Sequence, residues 1–345
     1  MTSQAITALA DMLSPHVPLG KTRLETLCLL IIGVISARTV NLSHVACERS
    51  GEVLIASTYR RLQRFFQHVA LGEDWSAGLV IRLLGLSGPW NLCLDRTNWK
   101  IGGRDVNILM LAVATRRFRV PLMWTVLDKA GNSNTQERVA LMQRYLALFG
   151  AESVRLLLAD REFIGLKWLN FLNGKNIPFA IRVKARLRVE TEDGRRLNLS
   201  SLLRKYRGAR KFYATFPGQG DVAALTLTFA ARRIRGGELL IVASNVADRN
   251  ILNAYRRRWA IECLFGDTKT RGLNLEDTRL QIASKLSLLL AIVSLAVVWA
   301  NRTASTLIGR GTLKRKTHGY YAKSWFRTSF DEIRRLLRSD PCAAV

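Results

Sequence analysis

The sequence predicts an α/β protein in which a mixed β-sheet carries a β-strand insertion and follows an all-helical N-terminal region. Three observations support this fold class. Apolar residues recur at helical spacing through the first 90 residues, and short apolar runs of strand length then alternate with helical segments. Residues 185–247 form a different pattern, in which β-rich segments are separated by turns that contain glycine.

The N-terminal region is predicted to be a bundle of helices, with proline and glycine residues at the turns. Helices are predicted over residues 5–13, 22–37, 57–70 and 74–85. In the third helix, the candidate N-cap Ser57 precedes Arg60, Arg61 and Arg64. Two interpretations stay open for this helix. It is either a DNA-contacting helix in a helix-turn-helix-like bundle or an ordinary amphipathic helix with a basic outer face.

A mixed sheet is predicted after the boundary at Gly88-Pro89. Its first three strands are expected to be antiparallel, with the basic turn at 116–119 joining the second and third. The later strands are expected to be parallel through right-handed crossovers. Strands are predicted over residues 90–95, 106–115, 120–128, 154–160 and 178–184, and helices from within 131–138 to about residue 149 and over 163–174. Two of these buried strands end in an aspartate, Asp95 and Asp160.

The segment 249–272 is predicted to form one α-helix, with Gly272 as its stop. At about 100° per residue, four side chains of this helix fall within an arc of roughly 60°. They are Tyr255, Arg258, Glu262 and Lys269. A single glutamate between basic residues is also typical of a solvated salt-bridge face, so the stripe alone does not identify a site.

The predicted organisation has a sheet domain that the insertion interrupts. The divisions are residues 1–89 (helical, DNA-binding), 90–184 with 249–300 (sheet domain, ending in one more buried helix), 185–248 (β-rich insertion) and 301–345 (basic tail). The tail interleaves basic and aromatic residues. This composition suits phosphate contacts with base stacking, and it equally suits a solvated, half-ordered tail.

Composition indicates a polyanionic partner. The 345 residues carry a formal net charge of +27, and most of the excess lies in the central and C-terminal thirds. The five cysteines are scattered and form no CxxC pair, which argues against a disulfide framework or a zinc site and for a reducing cytoplasm. The longest apolar run, 286–300, spans about 22 Å as a helix, too short for a bilayer. We expect no secretory signal and no membrane partner.

Asp95 and Asp160 are candidate metal ligands. The carboxyl ends of strands in an open α/β sheet form a common edge where sites are found, although aspartate at a strand end is often only a turn former. Two carboxylates held together repel unless a cation balances them, and hard divalent ions prefer oxygen ligands. Glu262 is the candidate third ligand. Two such ions activate a water or 3′-hydroxyl against a phosphodiester without a nucleophilic side chain.

These residues resemble those of a known family. The order of Asp95 in LDRTNWK, Asp160 in LADREF and then Glu262 resembles the DDE transposases of bacterial insertion sequences. The spacing Tyr255-x2-Arg258-x3-Glu262-x6-Lys269 resembles the Tyr-Arg-Glu-Lys signature of the family-four insertion sequences. The resemblance covers most of the chain, up to about residue 300.

The resemblance implies a ribonuclease-H-like domain in which the three carboxylates bind two Mg²⁺ ions, with Mn²⁺ able to substitute. It implies that a homodimer pairs two ends of double-stranded DNA, the terminal inverted repeats, before joining them to target DNA in the bacterial cytoplasm, at the nucleoid. The residues expected to contact DNA are Tyr255, Arg258, Lys269, Arg60, Arg61, Arg64 and Arg161.

One departure concerns the hairpin intermediate of this family. Relatives stack a flipped base on a tryptophan of the insertion, and this chain has no tryptophan between Trp168 and Trp259. The candidate substitutes are Phe212, Tyr213, Phe216 and Phe229. Two alternatives stay open beside the transposase. One is a catalytically inert DNA-binding or regulatory protein of the same fold, and the other is a nuclease that does not transpose.

Overall fold

The computed structural model describes residues 3–345, apart from residues 86, 116–118, 248–249, 310, 312, 318 and 342–343. The predicted basic turn at 116–119 therefore lies outside the described residues, except for Arg119. Arg249, the predicted start of the helix over residues 249–272, lies outside them as well.

The described residues before the sheet are organised as helices. They form α1 (Ser3–Leu13), α2 (Lys21–Ala37), α3 (Leu42–Cys47), α4 (Ile55–His68) and α5 (Ala77–Leu84). Helix α2 is buried almost all round, as expected for an apolar run without a polar stripe. The sequence analysis missed α3, whose N-cap Asn41 accepts a hydrogen bond from the backbone N–H of Ser43 at 3.1 Å.

The centre of the molecule is one mixed sheet. Its first strands and helices are β1 (Trp90–Ile101), β2 (Arg104–Ala114), β3 (Arg119–Leu127), α6 (Thr135–Phe149), β4 (Val154–Ala159), α7 (Leu166–Gly174) and β5 (Phe179–Arg182). β1 pairs antiparallel with β2 and parallel with β4, and β4 pairs parallel with β5. The antiparallel start and parallel continuation of the sheet agree with the prediction. A capping box between Asn134 and Glu137 begins α6.

The first strand is longer than predicted. β1 continues past Asp95 to Ile101, so Asp95 lies inside the strand and not at its end. Beyond it, Thr97 and Trp99 are buried while Asn98 and Lys100 are exposed, which is the two-residue alternation of a strand. The parallel pairing of β1 with β4 stops one residue before the aspartate, at Leu94.

The strands of the predicted insertion continue the same sheet. They are β6 (Arg188–Glu190), β7 (Arg196–Asn198), β8 (Arg210–Phe216), β9 (Leu225–Arg233) and β10 (Leu239–Ser244), with helix α8 (Leu199–Leu202) after β7. β10 pairs antiparallel with β5. Within the described residues the sheet order is β3-β2-β1-β4-β5-β10-β9-β8-β6-β7, so hydrogen bonding crosses the boundary predicted at residues 184–185.

The described part of residues 249–272, called here the signature segment, does not form the single α-helix that was predicted. It consists of α9 (Ile251–Tyr255), a 3₁₀ turn (Arg256–Arg258) and α10 (Trp259–Thr268). Its helical part ends at Thr268, four residues before the predicted stop at Gly272. Lys269 is the C-cap of α10, its N–H donates to the Phe265 carbonyl at 2.9 Å, and the chain leaves the helix after it.

Two further helices complete the fold. α11 (Ala283–Ile308) contains the predicted buried helix, and α12 (Trp325–Ser339) lies in the segment predicted as a basic tail. α11 is long and apolar enough to span a membrane, but 78% of its most apolar 18-residue stretch is buried inside the protein. α12 buries Phe330, Ile333 and Leu337, so this part of the tail is an amphipathic helix packed on the core.

Candidate active site

Strand register brings Asp95 and Asp160 to the same level of the sheet. The last parallel pair between β1 and β4 is Leu94 with Ala159, and each aspartate is the next residue of its chain segment. The backbone N–H of Arg96 donates to Asp95 Oδ1 at 2.8 Å. Asp95 within β1 and Asp160 directly after β4 therefore lie where the parallel pairing of these neighbouring strands ends, although only Asp160 follows the end of its strand as predicted.

The signature segment contacts both aspartates. The hydroxyl of Tyr255 donates to Asp160 Oδ1 at 3.4 Å. The guanidinium of Arg258 bridges two carboxylates, with Nη1 at 3.5 Å from Asp95 Oδ2 and Nη2 hydrogen-bonded to Glu262 Oε1. The structure thus brings together the three acidic residues that are 65 to 167 positions apart, and the Tyr255–Arg258 pair connects them.

This centre is largely shielded from water. Tyr255 and Arg258 are 5% and 9% exposed. Burial raises the pKa of Asp95 to about 7, against the opposing effects of the Arg96 N–H and the Arg258 charge, while the charges of Glu162 and Asp160 raise it further. Burial likewise raises the pKa of the Tyr255 hydroxyl, so the phenol is protonated at neutral pH.

Glu162 is a fourth carboxylate at this centre, and the sequence analysis did not select it. Arg96 donates to Glu162 Oε1 at 3.3 Å and to Asn107 Oδ1 at 3.1 Å. The buried Arg138 donates to the backbone carbonyl of Glu162 at 3.0 Å. These contacts hold the turn after β4 against β1 and α6. The position of Glu162 two residues after Asp160 was the available sequence signal.

Lys269 lies apart from the carboxylates. Its Nζ donates to the backbone carbonyl of Asn98 at 3.0 Å, pairs with Glu276 at 2.8 Å and lies 5.2 Å from the centroid of the Trp99 ring. These contacts place it along the outer half of β1. Of the four side chains in the predicted stripe, the first three therefore contact one another or the two aspartates, whereas the contacts of Lys269 are with other residues.

The other arginines predicted to contact DNA differ in solvent exposure. Arg161 is about half exposed and lies 3.8 Å from Glu238. Arg60 and Arg64 are exposed on α4. Arg61 instead turns back onto α2, where Nε donates to Thr26 Oγ1 at 2.8 Å.

A basic groove runs between α2 and α4. It has a volume of about 480 Å³, and its basic side chains are four arginines and one histidine. These are Arg23, Arg49, Arg61, Arg64 and His68. The sequence analysis missed Arg23 in α2 and Arg49 after α3, because neither residue shows from sequence alone that it faces this groove.

The candidate stacking residues of the insertion also differ in burial. Phe229 is fully buried and stacks on Phe212 with ring centroids 5.6 Å apart, so it belongs to the core. Phe216 is partly buried. Tyr213 is 46% exposed.

The acidic centre has the oxygen donors that a hard divalent cation prefers. In the part of the chain that the structure describes, however, no three histidine, cysteine, aspartate or glutamate side chains are arranged to hold a metal ion as they stand. Arg258 contacts Asp95 and Glu262 instead.

Comparison with known proteins yields a family match. A family model described as a transposase DDE domain matches residues 87–299, which is more than half of the chain. No curated protein sequence matches the chain. Among solved structures, the chain is similar to the cryo-EM structure of a piggyBac transposase synaptic complex with hairpin DNA, with a TM-score of 0.46 and 11% identity over 99% of this chain and 79% of that chain.

Proposed function

The chain belongs to the transposase DDE domain family, and from that premise we propose that it cuts and joins DNA at the ends of a bacterial insertion sequence. The single observation that carries the proposal is the convergence of Asp95, Asp160 and Glu262 on one buried Tyr255–Arg258 pair. The cleaved bond is a phosphodiester, and the attacking group is a water or a 3′-hydroxyl.

The cofactor in this proposal is a pair of Mg²⁺ ions, for which Mn²⁺ substitutes. Proteins of this family generally use divalent metal ions. Asp95, Asp160 and Glu262 would hold them once Arg258 no longer stands between the carboxylates, because Arg258 contacts Asp95 and Glu262 and its neighbour Tyr255 contacts Asp160. When bound, such ions activate the attacking oxygen and stabilise the leaving oxygen of the phosphodiester.

The protein residues position these groups. The β1–β4 register aligns the two aspartates, and the Arg96–Glu162 ion pair holds the turn after Asp160 in place. Tyr255 keeps its proton and orients Asp160 through its hydroxyl. In the proposed complex, Arg258 and Tyr255 face the phosphates next to the cleaved bond, and Lys269 holds a phosphate further along β1.

The substrate in this proposal is double-stranded DNA that carries the terminal inverted repeats. Arg161, Arg60 and Arg64 are placed on its backbone because their guanidinium groups are exposed. Arg61 is assigned a structural role instead, since it is bonded to α2. The net charge of +27 supports a polyanionic partner over a small neutral substrate.

The proposal extends to the group and to the assembly. On the spacing from Tyr255 to Lys269, we propose that the chain is one of the family-four insertion-sequence transposases and acts as a dimer on paired ends in the bacterial cytoplasm, at the nucleoid. The helical region 1–89 is the proposed end-binding region and residues 185–248 the proposed insertion. If a hairpin intermediate forms, Tyr213 is the candidate stacking platform, because it is the exposed aromatic ring among the four candidates.

The test is incubation with Mg²⁺ and DNA that contains the sequences flanking the coding region, with nicked, hairpin and double-cut products resolved on a gel. The unmodified chain should cleave at the repeat ends. Asp95→Ala should abolish cleavage and leave DNA binding intact. The matched control is Asp105→Ala, which removes an exposed carboxylate from β2 and should cleave normally. Cleavage that survives in Asp95→Ala would remove that residue from the mechanism.

A further inference from the structure

Arg258 occupies the position where the acidic centre requires positive charge. Two guanidinium nitrogens contact Asp95 and Glu262, and the side chain is 10% exposed. Carboxylates on adjacent buried strands repel one another, so an uncompensated cluster is unfavourable. In the described structure the arginine supplies that compensation from the signature segment itself.

Two observations support the idea that Arg258 can leave the carboxylates and bind another anion. Arg258 lies at the end of the 3₁₀ turn between α9 and α10, and a 3₁₀ stretch inside a helical segment often marks a functional hinge. Its Nε is buried and has no hydrogen-bond partner. One donor of the guanidinium fork is therefore unsatisfied where it stands, although the geometry of that fork suits a phosphate.

We infer that Arg258 is the counterion of the acidic centre before metal loading, and that a DNA phosphate takes over its guanidinium when the carboxylates accept divalent ions. The inference rests on the proposed function and adds to it a coupling between DNA binding and metal binding. DNA binding withdraws the competing cation, so metal binding is stronger on DNA than in the free protein. By thermodynamic reciprocity, bound metal strengthens DNA binding by the same factor.

The inference predicts different metal affinities for two arginine variants of the full-length protein. Free Mn²⁺ is measured by electron paramagnetic resonance during titration, with and without a short DNA duplex at low salt. Without DNA, Arg258→Gln should bind Mn²⁺ about tenfold more tightly than the unmodified protein, within the usual 5- to 150-fold range of coupling. Arg256→Gln removes an exposed positive charge from the same turn and should match the unmodified protein.

The duplex supplies the second comparison. It should tighten Mn²⁺ binding to the unmodified protein by a similar factor and have little effect on Arg258→Gln. Adding Asp95→Asn to either protein should remove the bound Mn²⁺, which assigns the signal to this centre. Arg258→Lys, which keeps a charge, shows whether the arginine is needed for folding.

The outcomes separate the inference from the function on which it rests. Equal or weaker Mn²⁺ binding by folded Arg258→Gln overturns the exchange and leaves the proposed transposase chemistry intact. If Arg258→Gln does not fold, equal Mn²⁺ affinity of the unmodified protein with and without duplex overturns the exchange. Absence of Mn²⁺ binding by every folded protein, with duplex present, overturns the proposed metal chemistry itself.

Discussion

Replacing Asp95 with asparagine should stabilise the metal-free protein at neutral and alkaline pH. Asparagine has nearly the same shape as aspartate and carries no charge. Burial raises the pKa of the folded-state carboxyl from 3.8 to about 7, which means that the fold disfavours the charged form. The variant removes that charge and should also remove cleavage activity, so stability and activity should change in opposite directions.

The expected change in the free energy of unfolding follows from the difference in the pKa of Asp95 between the folded and unfolded states. At 1.36 kcal/mol per pKa unit, a difference of about three units corresponds to about 4 kcal/mol. Below about pH 4 the carboxyl is protonated in both states and costs nothing. As the pH rises towards 7, the unfolded state releases its proton first, so the free energy of unfolding falls. Above about pH 7 the loss is complete and constant.

The assay is urea unfolding of both proteins in EDTA at pH 5 and pH 8. The free energy of unfolding of Asp95→Asn minus that of the unmodified protein should increase by roughly 2–3 kcal/mol between these two pH values. Other titrating groups cancel in this difference. The pKa of about 7 already includes the attraction of Arg258 for the charged carboxylate, and the exchange of a neutral carboxyl for an amide beside Arg258 adds only an offset that does not depend on pH. Excess Mg²⁺ should reduce the difference at pH 8, because the ion favours the charged carboxylate.

A difference that stays constant between pH 5 and pH 8 would refute the reasoning. It would mean that the carboxyl of Asp95 titrates near its ordinary pKa in the folded protein. Either the site would be wetter than the structure shows, or Arg258 would compensate the charge fully.

The remaining predictions concern catalysis, DNA contacts and stability. Glu262→Gln should lose Mg²⁺-dependent cleavage and keep DNA binding in a gel-shift assay, and surviving cleavage would exclude Glu262 as a ligand. Arg64→Ala should reduce the log–log salt dependence of DNA binding by about one unit, since it removes one phosphate contact. Arg61→Ala should leave that slope unchanged and lower the free energy of unfolding by about 1.5–3 kcal/mol, because its charged hydrogen bonds go to α2. Lys269→Ala should also flatten the slope by about one unit, and an unchanged slope would make it only a brace of β1. Asn134→Ala should cost about 1 kcal/mol in urea unfolding through loss of the capping box, and an unaltered midpoint would contradict the cap.

The acidic centre was predictable to the extent that local patterns determined it. The apolar runs before Asp95 and Asp160 predicted buried strands, and parallel strands place such residues at one edge. The resemblance to DDE transposases is confirmed by the family match over residues 87–299. The proposed family-four group and the individual roles of the DNA-contacting residues stay predictions.

The errors came from places where helical periodicity was extended too far. A single helix was predicted over residues 249–272, but a 3₁₀ turn at Arg256–Arg258 divides the segment and α10 ends at Thr268. The same assumption put Arg61 on an outer basic face, although its guanidinium returns to α2. In the C-terminal segment, the basic composition concealed the buried face of α12.

The sequence by itself determined the class of secondary structure, the candidate acidic residues and the family to which the chain belongs. These properties depend on residue type and on spacing along a few turns or strands. Only the tertiary structure decided that Arg258 stands between Asp95 and Glu262, and that β10 joins β5 in one sheet. The physical reason is that such contacts depend on strand register and chain crossover over more than 50 residues, and local periodicity carries no record of either.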